Sequence, residues 1–407
     1  MIRKIGYVST FPPRRCGIAT YTEHLRSALA PILGFGTVNP LAVLVDPTDP
    51  LDSVHLTNQE GVYPVRYEVR KDYARAATWL NHSSVDLVSV QHEFGIFGGL
   101  AGEYVLDLME RLTKPIVTTF HTVFLQPHEP YTSLQEKVIQ RSDGIVVMNR
   151  QAVDYIVKAF HVSREKIRYI PHGTPALPEQ DKNGAKKQLG WSNRKVILTF
   201  GLLNRGKGVE LILKALPEVV RQIPEVLYVV AGQTHPNVLR YEGEKYRNEL
   251  MELVTQLHLE EHVHIEDRYL DEQDLVRFIS ASDLYVTPYP GMEQITSGTL
   301  AYAVGLGKPV LSTPYVYAKD LLHGHEELLL PYGDVDQWQS SIVDMLEDEQ
   351  QLKFWERKMR TLGRSMQWSR VGQAHMDWYQ QVLDRWMVQH SRDVLMEGMK
   401  QFAPSSH

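Results

Sequence analysis

Two segments of this 407-residue chain carry residue types and spacing suited to holding phosphate. The first is Pro288–Tyr315, PYPGMEQITSGTLAYAVGLGKPVLSTPY. An apolar run ends at Thr287, a loop with Pro and Gly follows, and Thr296, Ser297, Gly298 and Thr299 open a helix of small residues. Such a start offers unpaired backbone N–H groups, hydroxyls and the positive end of the helix dipole. Taken alone, the pattern is also that of a plain Ser/Thr N-cap. Glu293 and Gln294, just before it, add hydrogen-bonding side chains suited to a hydroxylated, phosphorylated ligand. The second segment is Thr199–Gly208, TFGLLNRGKG, a strand running into a loop with Arg205 and Lys207 among three glycines. Glycines let a ligand approach the backbone, and the cations reach phosphate oxygens. A solvated basic turn has the same composition. The loop lacks the spacing and the Lys-Ser/Thr pair of a Walker A motif.

The elements that position these segments follow from the apolar pattern. Short Val- and Ile-rich runs at 4–9, 41–45, 87–91, 116–120, 144–148 and 167–170 alternate with helical stretches such as 18–29 and 134–140. After a Pro-, Gly- and charge-rich stretch at 171–193 the alternation restarts. Strands are expected at 196–200, 226–231, 263–265, 284–287, 310–312 and 327–330, and helices at 209–220, 246–257, 272–281 and 298–304. Near-continuous apolar strands between helices predict doubly wound parallel sheets, α/β in class. Two Rossmann-like halves are expected, 1–174 and 175–366, followed by helices over 367–407, with a cleft where the strand ends of both sheets converge. The final FAPSSH reads as a disordered tail.

Composition narrows the function. The chain has 43 Lys and Arg against 49 Asp and Glu, a net charge of −6, and 43% hydrophobic residues. This is an ordinary globular balance and argues against a nucleic-acid coat, which needs a basic face. The single cysteine, Cys16, excludes an intrachain disulfide framework and a Cys-rich zinc site. The N-terminus lacks a signal-peptide apolar core, no run reaches the ~18 apolar residues of a spanning helix, and no basic amphipathic helix points to a membrane surface. A cytoplasmic protein is expected. The histidines form no cluster at metal-ligand spacing, so no metal site is expected. Asp334-Val335-Asp336 reads as an N-cap rather than a metal motif.

Taken in order, PRRCGIATYTEHL, TTFHTV, IPHGT, GLLNRGKGVELILKAL, SDLYVTPY and GLGKPVLST resemble the retaining glycosyltransferases of family 4, which have the two-domain GT-B fold. Trp368-Ser369-Arg370 resembles the start of the family's terminal helix, which implies that the helices over 367–407 cross back to the first half, and TSGTLAYA and Thr234-His235-Pro236 are similar to a bacterial subgroup of that family. The resemblance implies that His121 hydrogen-bonds the donor sugar and that Gly17 lets the first loop approach the ligand. It implies that Arg205 and Lys207, with Gly201 and the Ser297–Thr299 amides, stabilise a departing diphosphate. The family's arginine after the loop glycine is Leu202 here, so Arg205 must reach from a different position. Counting back from Gly307-Lys308-Pro309 puts Gln294 and Tyr302 where the family has two glutamates, one for the sugar and one for the ribose. Glu293 supplies the first carboxylate by a one-residue shift; nothing supplies the second. Gln91–Gly99, QHEFGIFGG, places His92 and Glu93 as an acceptor-binding loop or a structural turn.

The function implied is metal-independent, retaining transfer of a hexosyl group from a nucleotide diphosphate sugar, with GDP or UDP, to a saccharide or other hydroxyl acceptor, without a cofactor. Three alternatives remain open: a retaining phosphorylase working through sugar 1-phosphate, a nucleotide-sugar epimerase on the same architecture, and a non-catalytic nucleotide-sugar-binding regulator.

Overall fold

Val- and Ile-rich runs become the inner strands of two parallel sheets. The computed structural model describes residues 1–34, 36–46, 60–126, 128–177 and 181–401, the side chains of 392–401 excepted. The terminal FAPSSH lies outside the described residues.

The chain divides into two compact units. One comprises Met1–Pro171 and Ser369–His407, the other His172–Trp368. The expected boundary after residue 174 moves to 171 because Thr174 belongs with the second unit. The Thr174 N–H donates to the Met366 carbonyl at 2.7 Å, and the Thr174 carbonyl accepts the Trp368 N–H at 2.9 Å.

The first sheet has seven strands: β1 (Ile5–Ser9), β2 (Leu41–Val45), β3 (Val62–Arg66), β4 (Leu87–His92), β5 (Ile116–Phe120), β6 (Gly144–Val147) and β7 (Ile167–Tyr169). Their spatial order is β3-β2-β1-β4-β5-β6-β7, and every pairing is parallel. β3 was not anticipated from sequence. It lies at the sheet edge, half-buried, and holds Pro64, a residue that edge strands tolerate and central strands do not. The second sheet has β8 (Lys195–Phe200), β9 (Val226–Ala231), β10 (Val263–Glu266), β11 (Leu284–Thr287) and β12 (Val310–Ser312), in the order β10-β9-β8-β11-β12. The expected strand at 327–330 is instead a 3-10 turn, Glu326–Leu328, with one bridge from Leu329 to Ser312.

In each sheet the strand order reverses once, between β1 and β4 and between β8 and β11. Loops leaving the carboxyl ends of strands at such a reversal diverge and leave a crevice for a ligand. The two phosphate-type segments follow β8 and β11, the neighbouring pair. That adjacency, invisible in a separation of some ninety residues, is what brings them together.

The Trp368–Gln401 helix returns to the first unit. It closes on β6 at Gly144, where a Cβ would stand 2.5 Å from Val382. Among the described residues, no helix is long and apolar enough to cross a membrane.

Candidate functional site

The loop after β8 turns through Gly201 at φ +119°, a conformation that favours glycine. A methyl group here would stand 3.0 Å from Lys207 Nζ and 3.1 Å from Thr299 Cγ2. Gly201 therefore marks a point that the basic loop and the helix after β11 both approach. Asn204 starts a short 3-10 turn by accepting the Gly206 N–H at 2.8 Å. That turn sends Arg205 and Lys207 in different directions.

Lys207 Nζ donates to the Tyr289 hydroxyl at 2.8 Å and lies 4.8 Å from the centroid of its ring. The Tyr289 hydroxyl lies 2.8 Å from Thr299 Oγ1, and Thr299 Oγ1 lies 3.2 Å from Ser297 Oγ. Ser297 is the N-cap of the Gly298–Gly305 helix, accepting the Leu300 N–H at 3.3 Å. One chain of hydrogen bonds thus runs from the ammonium to the helix start. Burial pushes the Tyr289 phenol up, but the Lys207 charge and the Lys207 and Thr299 hydrogen bonds outweigh it and hold its pKa below the ordinary value. Among the described residues Lys207 makes no ion pair, so its remaining N–H donors stay available to an anion.

Arg205 departs from expectation. It makes a two-pronged pair with Glu249, at 2.7 and 2.9 Å, approaches Glu242 at 3.8 Å and lies over the Tyr246 ring. The Lys245–Gln256 helix offers it a carboxylate and an aromatic face, and these hold the guanidinium away from the Lys207–Thr299 chain. Tyr302 also departs. It is a core residue, its ring 6.1 Å from that of His172, so the helix presents no ribose-binding side chain from that position. Gln294 turns back on its own loop and donates to the Thr296 carbonyl at 2.9 Å. Glu293 is exposed on that loop.

Sequence reasoning missed Tyr289, and it gave His235 no role of its own. His235 caps the Pro236–Glu242 helix: its Nδ1 accepts the Asn237 N–H at 3.1 Å, so the ring proton sits on Nε2. Burial, then the Lys207 charge, lower its pKa. Asp334 acts as the N-cap expected of it, accepting the Gln337 N–H at 3.0 Å.

In the first unit, Gly17 opens the Gly17–Leu33 helix behind the N-cap Cys16, and a Cβ on it would meet nothing within 4 Å. Packing within the chain does not require that glycine. His121 directly follows β5; its N–H donates to the His92 carbonyl at 2.9 Å, and Nε2 lies 3.0 Å from Gln91 Oε1. Glu93 accepts the Phe94 N–H at 3.0 Å and the Thr122 hydroxyl at 2.6 Å, and burial raises its pKa. His92 is no acceptor ligand. It is fully buried among Phe94, Phe97 and Phe120, because the last residue of β4 still points into the core.

Comparison with known proteins completes the picture. Residues 17–176 match the family model described as Glycosyltransferase Family 4, and residues 194–348 match Glycosyl transferases group 1. The chain belongs to glycosyltransferase family 4. Its fold is GT-B. Sucrose-phosphate synthase from Thermosynechococcus elongatus superposes with a TM-score of 0.73 at 18% identity, over 94% of this chain and 100% of that one. Anabaena Alr3699/HepE, solved with UDP and glucose, gives 0.71 at 16% identity over 92% and 98%. Among curated relatives, a GDP-mannose-dependent monoacylated alpha-(1-6)-phosphatidylinositol monomannoside mannosyltransferase of Corynebacterium glutamicum is 25% identical over 198 residues, 46% of this chain and 48% of that protein. A D-inositol 3-phosphate glycosyltransferase of Segniliparus rotundus is 25% identical over 158 residues, 35% of each. The chain spans about half or less of the length of these two relatives.

Proposed function

We propose that this family 4 chain is a retaining glycosyltransferase that moves a hexosyl group from a nucleoside diphosphate sugar to a hydroxyl acceptor. The observation that carries the reading is the meeting of Lys207, Tyr289 and Thr299 beside Gly201. A leaving diphosphate gathers negative charge as the bond from the anomeric carbon to the phosphate oxygen breaks. Lys207 and the amides and hydroxyls at the start of the Gly298–Gly305 helix are fixed donors for that charge, already oriented before reaction. The acceptor oxygen bonds to the same face of the anomeric carbon, and its proton passes to the departing phosphate oxygen. This assigns the cationic work to Lys207, so no metal is required. His121 contacts the sugar, Glu293 and Gln294 lie on the loop leading to the donor, and Glu93 serves the acceptor. UDP and UDP-glucose bound to Alr3699/HepE, and the GDP-mannose dependence of the corynebacterial relative, support a nucleotide-sugar donor.

The experiment is a thermal-shift screen with UDP, GDP, ADP and inorganic phosphate, since a ligand that binds only the native state raises Tm. A nucleoside diphosphate should stabilise the protein, and EDTA should leave transfer unchanged. A second reading, a phosphorylase acting on sugar 1-phosphate, is favoured by one observation: Tyr302 is packed in the core where the family resemblance expects the ribose-holding carboxylate. Stabilisation by phosphate with no added effect of any nucleotide would select it.

A further inference from the structure

β4 carries two polar residues into a buried layer. Ser89 and Gln91 are two positions apart, hence on one face of the strand, and neither has any exposed surface. Gln91 Nε2 donates to Ser89 Oγ at 3.2 Å, and Ser89 Oγ lies 2.9 Å from the Tyr379 hydroxyl on the Trp368–Gln401 helix. At its other end, Gln91 Oε1 lies 3.0 Å from His121 Nε2. A buried amide left unpaired at either end would be costly, and here both ends are occupied.

The two ends of an amide differ: the NH2 group only donates and the carbonyl only accepts. With the NH2 committed to Ser89, the carbonyl faces His121, and an N–H···O bond there requires the imidazole proton on Nε2. Swapping the amide would face its NH2 to the ring and demand the opposite tautomer. We propose that Gln91 is a positioning residue that fixes His121 in one orientation and in the Nε2–H tautomer, with Ser89 and Tyr379 anchoring the amide from behind. The inference rests on the sugar-contacting role proposed for His121. A sugar arriving there meets one prepared ring state instead of two, and binding requires no proton rearrangement. It also gives the terminal helix a part in the site, since Tyr379 reaches the first unit only when the chain returns after residue 368.

The test uses the full chain with 15N-labelled histidine and reads long-range 1H–15N correlations of His121, assigned by loss of its signals in His121→Gln. In the wild type, the Nε2–H tautomer is expected. In Gln91→Leu, with the thermal transition checked for folding, the His121 nitrogens should move toward the averaged shifts of two exchanging tautomers. Gln91→Glu, nearly the same shape, should instead hold His121 as imidazolium to a pH at least one unit above the wild type, because a carboxylate favours the charged ring. A wild-type ring protonated on Nδ1 overturns the proposal. So does an unchanged Nε2–H pattern in Gln91→Leu or, if that variant fails to fold, an unchanged His121 titration in Gln91→Glu. The readout is ring protonation rather than turnover, so it succeeds or fails separately from the transferase reading.

Discussion

Lys207 and Arg205 stand two residues apart on one turn, yet only Lys207 joins the chain to Thr299. The consequence is measurable. Lys207→Ala should lower the transfer rate by orders of magnitude while the thermal transition stays in place. Arg205→Ala should change the rate less than tenfold, because its partners are Glu249 and Glu242 on the outer surface and such exposed pairs contribute little. Equal losses from both variants would contradict the division of labour. Tyr289→Phe keeps the ring under the ammonium and deletes the hydroxyl that Lys207 and Thr299 share. A hydrogen bond to a charged group is worth about 1.5–3 kcal/mol, so affinity for the stabilising nucleotide should fall by roughly tenfold or more, as titration calorimetry would report.

At the scale of elements, the Gly298–Gly305 helix depends on its cap and the terminal helix on its docking. Ser297→Ala removes the acceptor for the Leu300 N–H and should cost about 1 kcal/mol, seen as a lower denaturant midpoint. At Gly144 a side chain would collide with Val382 and lie 3.3 Å from Trp378 Nε1. Gly144→Ala should therefore destabilise the first unit by about 1–3 kcal/mol, the usual cost of overpacking, and lower protection of the 369–391 amides in hydrogen exchange. Protection unchanged from wild type would mean that the helix is held elsewhere.

Two buried histidines contribute to the pH dependence of the whole molecule. Burial lowers the pKa of His92 to about 3 and that of His375 to about 4. Their unfolded values lie near 6.5, so below that pH the unfolded chain takes up protons that the native chain refuses. The contribution to stability is whole above pH 6.5 and declines as pH falls, for His375 until about 4 and for His92 until about 3. Each histidine contributes up to about 1.4 kcal/mol per pH unit in that window. Thermal melts from pH 7 to pH 4 should show Tm falling steadily, and His92→Phe, placed among three phenylalanines, should make the decline shallower.

Alternation of apolar runs with helical stretches was legible in the residues alone, and so were the two parallel sheets and the positions of the β8 and β11 loops. These properties are local, written in side-chain type and period. The edge strand β3 escaped because Pro64 and half-exposed residues weaken that signal. The residue types named Lys207 and Ser297–Thr299, and the family resemblance implied that both act on one diphosphate; the contact itself, through Tyr289 and Thr299, was not legible. That meeting follows from β8 and β11 becoming neighbours, a pairing set by the sheet as a whole. Tertiary structure likewise decided which polar groups face a partner in the core and which remain at the surface. It gave Arg205 to Glu249, closed the aromatic box over His92 and placed Tyr302 against His172. Sequence determined which groups were present; packing determined which of them a ligand can meet.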